Sequence, residues 1–285
     1  MKIKKLKSDI CISVEKSGVR ILFFTFKNKI LDIKCDYFLK NRLEAKIFLE
    51  NKSKLDYIEK IKKSIISNSI KYNIEEYGRV YINLQEPDIM LRNIMIDPDI
   101  KDEMLIRAAE LEINEYIPNA KRDYIIKFRD IEKEKEFKCV RTVFFPNKYR
   151  GLYEILCDDI KPDKKYISVN FDILGKLLHE SGDIKGKRVY IECRREDLVV
   201  SRVNNKKITE SYVINIDEIN ISVLNDILSG TKEVYMYGIN SSDIKEKFSL
   251  VSELKEPDFD HGISVNSNTG NNSISEYLNL VGVLI

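Results

Sequence analysis

Ile89-Met90-Leu91-Arg92-Asn93-Ile94-Met95-Ile96-Asp97-Pro98 runs ahead of Ala108-Ala109-Glu110-Leu111-Glu112-Ile113-Asn114-Glu115-Tyr116-Ile117-Pro118, and Asp123-Tyr124 follows. The first run, Ile89–Ile96, is apolar with one central arginine and reads as a strand. Pro98 stands near the start of a helix expected over Asp99–Tyr116, where Leu105, Ala108, Ala109, Glu112 and Ile113 recur at helical spacing. Tyr116-Ile117-Pro118 marks its end, because proline cannot continue a helix. Asp123–Phe128 and Phe137–Phe145 read as the next strands, so the stretch is a strand–helix–strand–strand unit.

Working outward, Asp9–Phe26 is rich in β-branched and aromatic residues around a Lys16-Ser17-Gly18 turn and reads as a hairpin. A second strand–turn–strand set runs through Arg188–Ile214, with turns near Arg194-Arg195-Glu196 and Asn204-Asn205. Val80–Leu84 and Tyr166–Ser168 are shorter strands. Ser53–Asn68, with Leu55, Ile58, Ile61, Ile65 and Ile66, has a helical period, and helices are expected at Lys148–Asp159, Phe171–Ser181 and Asp217–Leu228. Glu256–Ser275 is rich in Asn, Ser, Gly and Asp and reads as a loop, and the last ten residues turn apolar again. Hairpins recurring in both halves predict two related lobes.

With 43% hydrophobic residues in a chain of 285, there is ample material for a core. Basic and acidic residues number 48 and 46, a net charge of +2, so no global field calls for nucleic acid. The Lys-rich opening, Met1–Lys7, reads as a solvated terminus, with a weak membrane-surface contact as the alternative. Cys11, Cys35, Cys139, Cys157 and Cys193 are scattered without a C-x-x-C pair, which speaks against a disulfide framework or metal site and for a reducing cytosol. No signal-peptide pattern or membrane-spanning run is read. No phosphate-loop, dinucleotide, zinc-protease or nucleophile-elbow motif occurs. His179 and His261 have no partner at catalytic spacing and read as surface or packing residues. Nothing here marks a catalytic site, and no cofactor is called for.

The ordered set around Tyr116-Ile117-Pro118 resembles PilM, the actin-like cytoplasmic family of type IV pilus machines. That family has an Arg-containing strand, a short loop with proline, a helix ending E-x-x-x-Y-I-P, and a strand opening D-Y; Glu112–Pro118 fits residue for residue. Val169–Leu178, Glu256-Pro257 and Glu276–Ile285 follow in the family's order. The resemblance implies a mixed α/β, actin-like (ribonuclease H-like) fold. Its first lobe would comprise 1–90 and 146–182, an inserted subdomain 91–145, and a reduced second lobe 183–285.

Set against the family's nucleotide motifs, the chain departs from them. The first hairpin, I-G-I-D-I-G-S in the family, reads Ile10-Cys11-Ile12-Ser13-Val14-Glu15-Lys16, with Ser13 at the Asp position and Glu15 at a Gly position. A carboxylate there would face phosphates repulsively. V-x-V-D-I-G reads Val189-Tyr190-Ile191-Glu192-Cys193-Arg194, with Arg194 replacing glycine and Glu192 left as a conceivable metal contact. The adenosine loop S-G-G reads Tyr237-Gly238-Ile239. Ile214–Glu233 has room for one helix where the family carries a subdomain.

The resemblance therefore implies a non-catalytic bacterial scaffold in the cytoplasm, recruited to the inner face of the membrane. It would dock the cytoplasmic tail of a membrane-anchored PilN-like protein, touch the membrane only through partners, and possess no metal site. The motor ATPase is a further implied partner. Arg92, Glu112, Tyr116, Ile117, Pro118, Asp123 and Tyr124 are the implied peptide-binding residues, in a groove between insert and first lobe. The competing readings are a nucleotide-dependent ATPase or sugar kinase of the same fold, the cytoplasmic domain of a type II secretion GspL-like protein, which continues into a membrane span, and a cell-division actin homologue.

Overall fold

The computed structural model describes residues 7–15, 17–40, 51–84, 89–117, 120–133, 136–182, 184–229, 231, 233–239, 244–246, 253–259, 262–268 and 273–285. Strands β1 (Lys7–Glu15), β2 (Gly18–Lys27) and β3 (Ile30–Lys40) form an antiparallel meander. β4 (Glu76–Leu84) and β8 (Lys164–Val169) continue the sheet in parallel beyond β1. The second half repeats this order: β9 (Lys187–Cys193), β10 (Asp197–Asn204) and β11 (Lys207–Asn215) form a meander, and β12 (Glu233–Gly238) and β13 (Leu254–Lys255) add in parallel beyond β9. One strand order used twice, 3-2-1-4-5, makes this a mixed α/β, actin-like fold.

The repeat extends to turn chemistry. Asn28-Lys29 joins β2 to β3 with φ of 52° and 61°, and Asn205-Lys206 joins β10 to β11 with φ of 49° and 66°. Two-residue hairpin turns of the type favoured by strand twist need positive φ at both positions, and asparagine tolerates it best after glycine. β1 and β2 are nearly continuously buried, as expected of central strands covered on both faces. The helices α1 (Asn51–Lys71), α4 (Asn147–Ile160), α5 (Asn170–Glu180) and α7 (Leu278–Leu284) supply the cover, α1 against α4 and α5 against α7. Gly282 makes the last contact close: a Cβ there would stand 2.5 Å from Ile173 Cγ2 and 3.1 Å from the Ile173 carbonyl oxygen.

Between β4 and α4 lies the strand–helix–strand–strand unit. β5 (Met90–Ile96), β7 (Lys138–Pro146) and β6 (Tyr124–Lys133) form an antiparallel trio. Helix α2 (Leu105–Tyr116) covers one face, packing Leu105 and Ala109 on Ile96 and Val140. A short helix α3 (Ala120–Asp123) leads into β6. Leu91 and Val143, on the other face, join the main core. The trio attaches to the second sheet through one strand pair, Leu91↔Ser211, beside a hydrogen bond from Asn93 Nδ2 to the Thr209 carbonyl at 3.1 Å.

Several expectations shift. α2 starts at Leu105 rather than Asp99, because the Asp97 carboxylate accepts the Asp99 N–H at 2.8 Å and a 3₁₀ turn over Asp102–Met104 intervenes. Leu55 and Ile66 point outward from α1, while Tyr57, Ile58, Ile61 and Ile65 are buried. Within Glu256–Ser275, expected as loop, Ser264–Ser267 forms β14 and pairs in parallel with β3. The chain thus returns to the first sheet before α7, and its closing segment, expected within a second lobe of 183–285, packs on α5 while Asn279 reaches Glu192 of the second sheet. Ile214–Glu233 holds α6 (Ile221–Leu228), capped by Asn220 Oδ1 accepting the Val223 N–H at 3.0 Å. The opening residues Met1–Leu6, Lys16, Pro118 and His261 lie outside the described residues.

Candidate functional site

Two places gather the residues singled out in the sequence. The first is the seam between the lobes, where the β1–β2 and β9–β10 hairpins face one another. Glu15, Glu192 and Arg194 line one enclosed cavity there, with Ser13, Asn83, Asn170, Gly238 and Asn279. Its volume is about 30 Å³, room for about two waters, whereas small-molecule pockets run to several hundred Å³.

Burial and charge dominate this seam. Arg194 Nε donates to Asp197 Oδ1 at 2.6 Å, and its N–H meets the Asp197 carbonyl at 3.0 Å, so one arginine ties the turn by backbone and side chain. Burial works against the Arg194 cation, but the carboxylates of Asp197, Glu192 and Glu15 outweigh it and hold its pKa above the ordinary value. Burial pushes the Glu192 carboxyl up to about 7; Arg194 and the Asn279 and Asn170 amides pull the other way, and Glu15 adds to the rise. Burial raises Glu15 as well. Asn279 Nδ2 donates to Glu192 Oε1 at 2.6 Å, and Asn170 Nδ2 donates to Oε2. Ser13, at the family's Asp position, contacts only the buried thiol of Cys11 at 3.9 Å among the hydrogen bonds of the described residues.

Gly238 is explained without a ligand. It sits at φ 101° at the end of β12, and a Cβ there would be 2.3 Å from the Cys193 carbonyl oxygen. That oxygen accepts the Ile239 N–H at 2.8 Å, so the turn closes on β9. Arg20, Asn83, Asn170 and Asn279 also belong to the seam and were not singled out from the sequence. Their signal was a lone polar residue inside an apolar run, as Asn279 is in Leu278-Asn279-Leu280-Val281.

The second place is a groove of about 560 Å³ along β5 and the end of α2. Arg92 and Glu112 stand on its rim, and Met90, Ile94, Ile117 and Phe144 form its walls. Neither Arg92 nor Glu112 forms an ion pair with the described residues, and both are exposed. Tyr124 supports the groove from behind, edge-on to Phe144 with centroids 6.2 Å apart. Asp123 is exposed and paired with Arg122 at 2.8 Å, away from the lining. Tyr116 closes α2. All the lining residues belong to the insert, so the expected sharing with the first lobe does not occur here. A different groove, of about 400 Å³, runs between insert and first lobe, where Ile125, Lys127 and Phe145 face Arg150, Ile167 and Ser168. It contains none of the residues singled out.

All five cysteines are free and buried. Among the described residues no helix is long and apolar enough to cross a membrane, and no group of His, Cys, Asp and Glu could hold a metal ion.

No family model and no curated protein matches the chain. Solved structures do. The PilM–PilN type IV pilus biogenesis complex is similar over 98% of this chain and 98% of the other, at 11% identity and a TM-score of 0.62. The cytoplasmic domain of EpsL, an inner membrane component of the type II secretion system of Vibrio cholerae, is similar over 98% and 94%, at 10% identity and a TM-score of 0.56. The chain resembles PilM in fold across nearly its whole length, and at these identities the likeness is one of architecture.

Proposed function

We propose that this protein is a non-catalytic scaffold of a pilus or secretion machine, stationed at the inner face of the membrane by its partners. It takes an extended cytoplasmic tail of a PilN-like membrane protein into the groove beside β5. The observation that carries this reading is the convergence of Arg92, Glu112 and Ile117 on one groove with unpaired rim charges and apolar walls. Beyond Leu91, β5 has no ladder partner on its β11 side among the described residues, which leaves backbone groups to pair with an incoming strand. Burying two or three aliphatic side chains contributes about 1.5–3 kcal/mol each, offset by several kcal/mol for ordering the tail, so micromolar affinity is expected. The crowded seam supports a protein that neither binds nor hydrolyses nucleotide. Contact with a motor ATPase belongs to the same reading.

A second location for the tail is favoured by one observation. β8 is one edge strand of the first sheet and β6 one edge strand of the second, and both flank the groove between insert and first lobe. The test is fluorescence anisotropy of a labelled synthetic peptide carrying the tail sequence of the PilN-like protein encoded nearby. Arg92→Glu with Ile117→Asp should weaken binding at least about tenfold, while Ile167→Asp leaves it unchanged. The reverse pattern moves the tail to the second groove, and no binding by the parent protein overturns the reading.

A further inference from the structure

The seam also ties the two lobes together. Glu192 belongs to the second lobe, yet both of its oxygens are held by amides from the first-lobe side. Asn170 opens α5, and Asn279 sits on α7, which is packed onto α5 through Gly282. Arg194, also of the second lobe and 3% exposed, shares the cavity with Glu15, which ends β1 and is 4% exposed. The lead-in to α7 is fixed in turn: Arg20 donates to Asp36 at 2.9 Å and 2.5 Å and to the Glu276 carbonyl at 3.2 Å, and its guanidinium lies 5.2 Å from the Tyr277 ring centroid.

We propose that these residues form an internal clasp that holds the two lobes in one closed arrangement without any ligand, with Asn170 and Asn279 gripping Glu192 while Arg194 faces Glu15 across the seam. Two lobes that meet over a cleft need something to bridge them. A bound small molecule can do it; here fixed side chains do. Parting the lobes would withdraw two donors from a buried carboxylate and separate Arg194 from Glu15. A buried polar group stripped of its partners is far more costly than a surface one. The closed state is therefore the resting state of the chain, and tail binding at the insert acts on a body already locked.

The test compares the full chain with the double variant Asn170→Ala/Asn279→Ala by small-angle scattering and hydrogen exchange. The variant should show a larger radius of gyration and exchange about tenfold faster in Cys193–Asp197 and Leu278–Leu284, with β1 and β2 unchanged. The parent should give the same profile with and without Mg–ATP. A double variant matching the parent in both measurements overturns the clasp, as does a parent that compacts on adding Mg–ATP. Should the double variant fail to fold, Asn279→Ala alone is read the same way, and unaltered exchange across Leu278–Leu284 overturns the proposal. Tail-peptide affinity, measured in parallel on the parent, reports on the scaffold reading separately.

Discussion

Asn279 donates to Glu192 across 87 positions of sequence at 2.6 Å, and the residue it grips has its carboxyl pKa raised by burial to about 7. The folded state thus keeps a proton that the unfolded chain gives up near the ordinary value of 4.5. Stability from this group is greatest below about pH 4.5, falls as the pH rises toward about 7, and is flat above. The full change is about 3 kcal/mol. Urea unfolding from pH 4.5 to 8 should show the decline, and Glu192→Gln should flatten it; an unchanged slope in that variant would assign the decline to Glu15, which is raised in the same direction.

Gly282 is expected to be intolerant of a side chain. Gly282→Ala puts a methyl against Ile173 Cγ2 and the Ile173 backbone, and overpacking of this kind costs about 1–3 kcal/mol. The midpoint of thermal unfolding should fall by several degrees, and an unshifted midpoint would show that α7 can slide on α5.

Gly238→Ala tests why a glycine remains where the resemblance puts the adenosine loop. Its φ of 101° and the 2.3 Å approach to the Cys193 oxygen predict a loss of about 2 kcal/mol or more, without any ligand present. A stable variant would return the glycine to a ligand-binding explanation.

Calorimetry with ATP and magnesium should give no saturable heat. Binding tighter than about 100 μM, roughly −5.5 kcal/mol, would falsify the scaffold's independence of nucleotide.

How far the sequence could be read depended on the range of the physics involved. The β1–β2 hairpin, α1 and the insert were legible because alternation, helical spacing and proline act within a few residues. β3 was missed although Asn28-Lys29 signals a tight turn and Leu31-Asp32-Ile33-Lys34-Cys35-Asp36 alternates apolar and charged residues at strand period, so its signal was local and was overlooked. β14 has four residues, one of them buried, and among the described residues it pairs with β3 alone; no local signal marks such a strand. Glu15, Glu192 and Arg194 could be set side by side only through the family resemblance, and the amides that complete the seam come from Asn170 and Asn279, far apart in the chain. Arg92, Glu112 and Ile117 were placed in one groove, but the groove turned out to belong to the insert alone.

The single Leu91↔Ser211 pair has a mechanical consequence. β9 and β10 share seven ladder pairs, so force passing between them is spread over a row of bonds loaded together. Among the described residues the backbone ladder between the insert and β11 is a single pair, with one asparagine side-chain hydrogen bond beside it. Tension on anything anchored beside β5 therefore concentrates there, and that junction is the place where the subdomain would peel away first, dividing the eight-stranded sheet between β11 and β5.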